Sequence, residues 1–389
     1  MSKNAVVPAD ILVPRKDIDL TKWSVVACDQ YTQSRAYWDG LSAEIADAPS
    51  SLRLILPECY LEDTDAEARR ARIGQTAREY LERGVFDEYA AIVVYVRRTF
   101  SAENTREGFV AAIDLDAFSY TSPDSPVLPS EKIVPERLPA RIEIRESSPL
   151  ELPHIIMAAK NFDGAALSSA IQESQTRAPD YSAELSRGGG KLCGWVLTGD
   201  SAVAAASELS AETLIVGDGN HSLAAAKAVW DSLKPALSEA ERENHPKRFC
   251  LAEICPLSGS GLEFHPIHRV IYGAGLTEIA ALFPEAELDA DRRILSPAGE
   301  SSVGIYREVT AAIDEFLRGT PSASVDYIHG GDEVLRLAEN GAVGILMPTV
   351  SKDEFYAEAA SGHVMPRKSF SIGQAEEKRF YLEARRIGG

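Results

Sequence analysis

The sequence predicts an α+β fold, of mixed α/β character, built as two closely packed lobes. The chain has 389 residues, which is more than one typical domain holds. Hydrophobic residues make up 45% of it, enough to fill real cores. Strand-like and helix-like segments are interleaved, but not in the regular alternation of a doubly wound sheet. We therefore expect a β-rich mixed lobe over residues 1–195 and a second lobe over 196–389.

The first half of the chain is predicted to be rich in strands. A charged, alanine-containing run at 64–83, closed by Gly84, predicts a helix. Apolar or alternating runs predict strands at 23–28, 52–56, 91–100, 108–118 and 140–145. A polar turn joins the third of these strands to the fourth, which is typical of a hairpin. The proline-rich segment 121–139 is expected to be a structured loop.

The second half is predicted to hold more helix. Helices are expected at 201–209, 276–283, 306–318, 332–339, 351–360 and 374–386. Strands are expected at 213–216, 249–257, 264–272 and 343–347. The second and third of these strands are separated by SGSG, which predicts another hairpin. The glycine-rich segment 187–190 and the loop 295–300 are candidate breaks between lobes.

Net charge and composition exclude several classes of protein. The chain carries 40 basic and 59 acidic residues, a formal net charge of −19, so it repels nucleic acid and anionic membranes. No apolar run approaches the roughly 20 residues of a membrane helix, and the N-terminus does not resemble a signal peptide. Five cysteines without a CxxC pair predict reduced thiols. We expect a cytoplasmic protein without nucleic-acid or membrane partners, and homo-oligomer formation stays open.

The segment IVGDGNHSLAAAKAVW, residues 215–230, is the strongest candidate for a functional site. An apolar strand runs into Gly-Asp-Gly, and Asn220, His221 and Ser222 follow at the start of an alanine-rich helix. The first amides of a helix have no intrahelical acceptor and carry partial positive charge, so they attract phosphate or carboxylate. We expect the backbone of Gly219, together with these three side chains, to bind a phosphate group.

Asp218 sets this loop apart from common phosphate loops. The loop lacks the lysine of a Walker A motif and has Ser222 at the third glycine of the dinucleotide fingerprint. A carboxylate beside a bound anion is unfavourable unless magnesium lies between them or the carboxylate acts as a base. Asp218 is thus a candidate catalytic residue and magnesium ligand, and His221 is a second catalytic candidate. In the alternative interpretation, Asp218 or Asn220 merely caps a helix.

Other polar residues are further candidates. Arg367 and Lys368 form a compact basic cluster in an acidic protein and are predicted to bind phosphate, unless they are ordinary surface charges. His154, near Glu151, is a candidate acid or base because histidine titrates near neutral pH; the alternative is a helix cap region. His329, in DYIHGGDE, is a candidate substrate contact.

His265 and His268, in HPIHR, have a spacing that would suit a metal ion on a helix. Pro266 and the β-branched residues that follow favour a strand instead. Residues three apart on a strand point to opposite faces, so a shared metal ion is not expected.

Six motifs stand out along the chain: ILVPRKDIDLTKWSVVACDQYT, ELPHI, GDGNHSLAAAK, LEFHPIHRV, DYIHG and PRKSFSIGQAEEKRFYLEARRI. Together they resemble a bacterial and archaeal family catalogued as domain of unknown function 1015. The resemblance covers residues 1–389 as one family-length unit and supplies no established activity. His268 and Arg269 match a Pro-x-His-Arg pattern of that family, which implies an anion or substrate role; a buried structural histidine is the alternative.

The loop is also similar to the phosphate-binding motif of the ParB and sulfiredoxin superfamily, which includes nucleotide-binding regulators and kinases of free serine. Members typically have arginine after the motif histidine, whereas this chain has Ser222, which removes a bidentate phosphate clamp. The similarity implies a phosphorylated small molecule or nucleotide as ligand, magnesium as cofactor, and phosphoryl transfer to a serine-like metabolite. The alternatives are a non-catalytic sensor of a nucleotide or metabolite and a phosphatase acting on a phosphorylated amino acid.

Overall fold

The computed structural model describes residues 4–32, 34–152 and 154–388. The chain divides into a larger compact unit, residues 1–129, 133–262 and 374–389, and a smaller one, residues 130–132 and 263–373. These units differ from the predicted lobes 1–195 and 196–389. The predicted boundary falls inside the strand Gly190–Leu197, which pairs with a neighbouring strand on each side and so cannot separate two cores. The composition change at the RGGG segment marks only a turn before that strand.

Helices and strands are interleaved irregularly, and the predicted α+β class is confirmed. The α-helices are α1 (Leu20–Trp23), α2 (Arg35–Ile45), α3 (Ala66–Glu82), α4 (Leu138–Ser147), α5 (Ala165–Glu173), α6 (Gly199–Ser210), α7 (Asn220–Leu233), α8 (Glu239–Asn244), α9 (Leu276–Ala280), α10 (Ser302–Gly319), α11 (Gly331–Glu339) and α12 (Lys352–Ala360). The strands are β1 (Val6–Val7), β2 (Ala9–Pro14), β3 (Val25–Val26), β4 (Phe86–Thr99), β5 (Thr105–Asp114), β6 (Val127–Leu128), β7 (Leu150–Glu151), β8 (Ile156–Ala159), β9 (Tyr181–Leu185), β10 (Gly190–Leu197), β11 (Leu214–Asp218), β12 (Phe249–Pro256), β13 (Phe264–Tyr272), β14 (Glu287–Asp289), β15 (Ile294–Ser296), β16 (Ser324–His329), β17 (Val343–Ile345), β18 (Phe370–Ile372), β19 (Phe380–Tyr381) and β20 (Arg385–Arg386).

Among the described residues, the larger unit is built on a ten-stranded mixed sheet. Its strand order is β6-β11-β8-β12-β5-β4-β10-β9, with β1 beside β5 and β2 beside β4. Strand β11 runs parallel to β6 and antiparallel to β8, and β8 runs parallel to β12. Two short antiparallel pairs, β3 with β19 and β7 with β20, attach the segment 374–388 to this unit.

Both faces of the large sheet are covered by hydrophobic clusters. Side chains alternate along its central strands, so successive residues belong to different clusters. On β4, Val94 belongs to the hydrophobic cluster that holds Trp23, and the next residue, Tyr95, belongs to the cluster that holds Trp230. Helix α7 contributes Trp230 and Leu223 to the second cluster. This packing fixes α7 against the sheet and places its first residue directly after the end of β11.

The smaller unit has its own six-stranded sheet within the described residues. The order is β14-β15-β17-β13-β16, with β18 beside the first part of β13. Val270 on β13 and Val334 on α11 are both fully buried and share one hydrophobic cluster, so α11 covers a face of this sheet. Strand β13 carries the extended conformation predicted for HPIHR.

Two strands predicted in the first half are wrong. Residues 140–145 lie in helix α4, because Pro139 occupies the first helical turn, where proline is tolerated. Residues 52–56 begin in a 3-10 helix, Ser51–Leu54, which starts with the Ser50 hydroxyl accepting the Leu52 N–H. The predicted helix at 64–83 and the hairpin of β4 with β5 are confirmed.

Two predictions in the second half are also wrong. Strands β12 and β13 do not form a hairpin, since β12 pairs with β5 and β8 whereas β13 belongs to the sheet of the smaller unit. The predicted helix at 374–386 is mostly extended and contains β19 and β20. Arg379 and Arg385 in this segment are buried and ion-paired to distant strands, and this tertiary packing overrides the local helix propensity.

Candidate functional site

Strand β11, Gly219 and helix α7 form the predicted strand–loop–helix element. Gly219 is the N-cap of α7 and has φ +85°, in the left-handed region that favours glycine. A Cβ on Gly219 would lie 3.0 Å from Ile155 Cγ1 and 3.1 Å from Ile155 Cα. Glycine is thus required twice here, by the backbone conformation and by the close approach of Ile155.

The amides of this loop already have acceptors within the protein. The Gly219 N–H donates to Asp218 Oδ1 over 2.9 Å, and the N–H groups of Ser222 and Leu223 donate to the Gly219 carbonyl over 3.0 Å. Asn220 is the first residue of α7 and is buried, so it does not serve as the N-cap. In this structure the Asp218 carboxylate occupies the position at the Gly219 N–H where a ligand is predicted, and phosphate binding by that N–H stays a prediction.

Lys378 provides the cation of the loop, and the sequence interpretation missed it. Its Nζ lies 3.2 Å from Asp218 Oδ2; the Lys378 side chain is 7% exposed and that of Asp218 is 21% exposed. Arg98 fixes the backbone nearby, since its guanidinium donates to the carbonyls of Gly189 and Lys378. A buried ammonium group therefore stands at the mouth of α7, where the helix dipole is also positive.

His221 is half-buried beside the proline-rich segment 121–139. Its Nε2 accepts the Val134 N–H over 2.9 Å, so in the neutral ring the proton lies on Nδ1. The imidazole is therefore hydrogen-bonded to protein rather than sealed among apolar side chains. Its predicted catalytic role stays a prediction.

His154, Ser222 and Tyr381 form a hydrogen-bonded chain inside the larger unit. His154 Nε2 lies 3.2 Å from Ser222 Oγ, and His154 Nδ1 lies 2.7 Å from the Tyr381 hydroxyl. The Tyr381 hydroxyl accepts the Cys28 N–H, so its own proton is available to His154 Nδ1. Burial lowers the pKa of His154, which keeps its imidazole neutral. Glu151, predicted as its companion, instead pairs with Arg145 and Arg385.

A cavity of about 130 Å³ adjoins this chain. Its walls are mainly aliphatic, and Ser222, His154 and Tyr381 contribute polar groups to its lining. Helix α4 contributes Arg141 and Arg145. The misassigned segment 140–145 is thus the one that forms a cavity wall.

The remaining candidates belong to the smaller unit. His268 is buried, its Nδ1 accepts the Met347 N–H over 3.0 Å, and burial lowers its pKa. Arg269 is buried with its guanidinium 4.6 Å from the Tyr327 ring centre. His329 is exposed at the end of β16.

Arg367 and Lys368 are exposed residues of the smaller unit. Arg367 Nη2 lies 3.6 Å from Asp314 Oδ1, and Lys368 has φ +58°. The structure therefore assigns the two predicted phosphate-binding cations to one compact unit and the loop 217–222 to the other. Their part in phosphate binding stays a prediction.

Magnesium at Asp218 fits this arrangement poorly. The Asp218 carboxylate is already engaged by an ammonium group and an amide, and a second cation beside Lys378 would be repelled. Within residues 4–32, 34–152 and 154–388, no group of three or more His, Cys, Asp or Glu side chains could hold a metal ion. We derive no chemical step through magnesium.

Fold and site together define a mixed α+β protein with a strand–glycine–helix loop faced by a buried lysine. The chain belongs to the family described as protein of unknown function (DUF1015), whose sequence model matches residues 12–325. No curated protein matches it. In the described part of the chain, no helix has the length and apolar character needed to cross a membrane.

Several solved structures are similar to this chain. A free serine kinase in complex with AMP has 13% identity and a TM-score of 0.39, covering 72% of this chain and 92% of that chain. A conserved hypothetical protein from Pyrococcus furiosus has 14% identity and a TM-score of 0.34, covering 70% and 90%. C-terminally truncated SbnI from Staphylococcus aureus has 11% identity and a TM-score of 0.37, covering 68% and 82%. At TM-scores below 0.5, ligand and activity must be argued from the residues of this chain.

Proposed function

We propose that the larger unit binds a small phosphorylated molecule or a nucleotide at the loop 217–222, with Lys378 as the cation that recognises the anion. The observation that carries this proposal is the buried Lys378 ammonium group, 3.2 Å from Asp218 at the start of α7. A charged side chain that is only 7% exposed is costly unless an anion accompanies it. Asp218 is the more exposed partner and is therefore the one that can be replaced.

Asp218 occupies the position that an anionic ligand needs. Its carboxylate accepts from the Gly219 N–H and pairs with Lys378 Nζ, which are the two kinds of donor that phosphate uses at a helix start. A phosphate group therefore competes with the Asp218 carboxylate for these donors. Binding would release Asp218 from Lys378 and leave a free carboxylate beside the ligand.

Phosphoryl transfer to a small hydroxyl-bearing metabolite is the second candidate function, and the release of the Asp218 carboxylate favours it. The metabolite oxygen would form a bond to phosphorus, the bond from phosphorus to the leaving oxygen would break, and Asp218 would accept the hydroxyl proton. If no reaction is catalysed, the same contacts would serve a sensor of the bound molecule. If water is the phosphoryl acceptor, they would serve a phosphatase.

The binding proposal is tested by calorimetry and thermal shift on the full chain with AMP, ADP, ATP, phosphoserine and inorganic phosphate, with and without magnesium chloride. We expect at least one of these ligands to bind and raise the Tm. Lys378→Met should abolish that response, because it keeps the length of the side chain and removes the charge. Lys227→Met is the matched control on α7, since Lys227 pairs with Asp231 instead.

Asp218→Asn gives an independent test that leaves Lys378 in place. Removing the competing carboxylate should strengthen phosphate binding by about tenfold, the expected value of one charge-assisted hydrogen bond. A full response in folded Lys378→Met, or no binding by folded Asp218→Asn, would show that the proposed recognition is wrong.

Turnover then separates the candidate functions. Transfer of phosphate to serine, lost in Asp218→Asn while binding persists, would support the phosphotransferase. Nucleotide binding without product would support the sensor. Phosphate release from phosphoserine without any nucleotide response would support the phosphatase.

A further inference from the structure

The cavity of the larger unit has two well-defined helical walls. Its volume is about 130 Å³, and α4 contributes a continuous face of four residues, Ala140, Arg141, Ile144 and Arg145. Helix α7 contributes Ser222 and Ala225. The rest of the lining is mostly leucine and isoleucine side chains, together with the carboxylates of Glu58 and Glu151, which are paired with the two arginines. A ligand would therefore meet an aliphatic surface with these ion pairs along one side.

The two arginines of α4 lie in unequal charge surroundings. Arg145 shares Glu151 with Arg385, whose Nε lies 2.7 Å from Glu151 Oε1, so two guanidinium groups face one carboxylate. Lys247 adds a further positive charge near Arg145, and Glu146 interacts with Lys247, so three cations and two carboxylates lie in this region. The Arg145 end of the cavity therefore has an excess of positive charge.

At the Arg141 end of the cavity, positive and negative charges are balanced. Arg141 Nη2 lies 2.5 Å from Glu58 Oε1, and Arg137 Nη1 lies 3.7 Å from Glu58 Oε2. Asp29 interacts electrostatically with Arg141 as well, so two cations face two carboxylates there.

Arg141 and Arg145 each keep one buried donor without a partner. The Nε atoms of both are inaccessible to solvent and have no hydrogen-bond acceptor. The Arg145 side chain is 10% exposed and lines the cavity. A buried N–H without an acceptor is unfavourable, so a small movement of the Arg145 side chain that brought this donor to an acceptor in the cavity would be stabilising.

We propose that this cavity binds a small organic carboxylate with an aliphatic body, with the carboxylate at Arg145 and the hydrocarbon against the leucine and isoleucine side chains. The inference goes beyond the proposed function and does not depend on it. Of the loop 217–222, Ser222 lines the cavity, whereas Asp218 and Gly219 are not part of its lining. An engineered cavity of about 150 Å³ holds benzene, so a ligand of about six non-hydrogen atoms suits the volume. Burial raises the pKa of Cys28 and of Cys250 to about 12, so these lining thiols stay neutral and do not repel a carboxylate.

The probe is isovalerate, compared with its neutral amide and with L-serine, by calorimetry and NMR titration of the full chain. We expect isovalerate to bind about tenfold more tightly than isovaleramide, because the amide cannot make a charge-assisted bond to Arg145. Serine should bind more weakly than isovalerate, since its ammonium and hydroxyl groups would be desolvated against aliphatic side chains.

Three variants locate the site. Ala225→Leu fills the cavity from α7 and should abolish isovalerate binding, whereas Ala228→Leu makes the same change at a half-buried position of α7 that does not line the cavity. Arg145→Met leaves Glu151 paired with Arg385 and should weaken binding about tenfold. Isovalerate binding should persist in Lys378→Met, which distinguishes this site from the loop.

Equal affinity for isovalerate and isovaleramide would show that a ligand carboxylate is not recognised, because an apolar cavity alone would then explain binding. Unchanged binding by folded Ala225→Leu would overturn the location. Absence of binding at millimolar isovalerate, or preference for serine, would overturn the proposal as a whole, whether or not nucleotides bind at the loop.

Discussion

Glu253 and Asp218, two acidic residues of the larger unit, are paired with cations in different ways. Glu253 is 1% exposed; its Oε1 accepts from Arg106 Nε over 3.0 Å, and its Oε2 lies 3.0 Å from Arg379 Nε. Asp218 is partly exposed and divides its oxygens between its neighbour's amide and Lys378. One carboxylate is enclosed by two arginines, and the other retains a solvent-facing side.

This difference in exposure means that the ion pairs of Glu253 support folding, whereas the ion pair of Asp218 can exchange partners. Arg379 also pairs with Glu383, which accepts the Tyr181 hydroxyl, so the Glu253 cluster fixes the segment 374–388 to the large sheet. Any change at Glu253 leaves buried arginine charge behind. At Asp218, water or a ligand can replace the carboxylate at lower cost. Under the proposed function, similar residue types therefore serve stability at Glu253 and recognition at Asp218.

The largest expected effect is that of Glu253→Gln on folding. Removing one partner of a fully buried ion pair leaves uncompensated charge, so we expect a loss of about 3–5 kcal/mol in the free energy of unfolding. Chemical denaturation measures it. Glu184→Gln is the control, because Glu184 is exposed and 3.8 Å from Lys191, and it should change stability by less than about 1 kcal/mol. Similar losses in both variants would contradict the enclosed cluster.

The dependence of stability on pH gives a second test of the Glu253 ion pairs. Burial by itself raises the pKa of Glu253, but Arg106 and Arg379 outweigh burial and bring the pKa to about 2, from an ordinary value of 4.5. The stability that Glu253 supplies is therefore complete above about pH 4.5 and is lost as the pH falls towards 2. Denaturation at a series of pH values should show this loss in the wild-type chain. A curve of the same slope in Glu253→Gln would rule out Glu253 as its source.

The protonation of His154, near the loop, is expected to have a smaller effect on the free energy of unfolding. Burial lowers the pKa of His154 from 6.5, so the unfolded chain takes up a proton that the folded chain resists. Stability should therefore fall as the pH drops below about 6.5 and recover above it. His154→Gln keeps groups able to bond Ser222 and Tyr381 and should flatten this part of the profile. A profile unchanged between pH 5 and 7 would mean that His154 titrates as an ordinary exposed histidine.

The sequence predicts the loop element well because its determinants are local. The apolar residues of β11, the positive φ of Gly219 and the alanine-rich start of α7 all lie within one short segment. The partner of Asp218 is different, because Lys378 comes from the far end of the chain and no spacing rule connects them. Lys378 lies in the same motif as Arg367 and Lys368, but those two residues are adjacent and form the denser basic cluster.

The failures of prediction have a common physical origin in tertiary contacts. Residues 374–386 predict a helix because they are rich in glutamate and arginine, yet Arg379 and Arg385 are buried against Glu253 and Glu151. Charged residues are usually assigned to solvent-exposed faces, and no local pattern marks a buried cluster. The alternation in 140–145 is likewise compatible with a helix whose one face carries Arg141 and Arg145 into a cavity.

The larger unit is discontinuous, since residues 263–373 interrupt it before its last segment returns. Ribosomes deliver the chain from the N-terminus, so this interruption postpones completion of the larger unit, though not of its ten-stranded sheet, by on the order of ten seconds. Throughout that interval the nascent chain holds Glu253 and Asp218 while Arg379 and Lys378 have yet to be made. The two ion pairs that join the last segment to the loop and to the large sheet can therefore form only after the smaller unit has been synthesised.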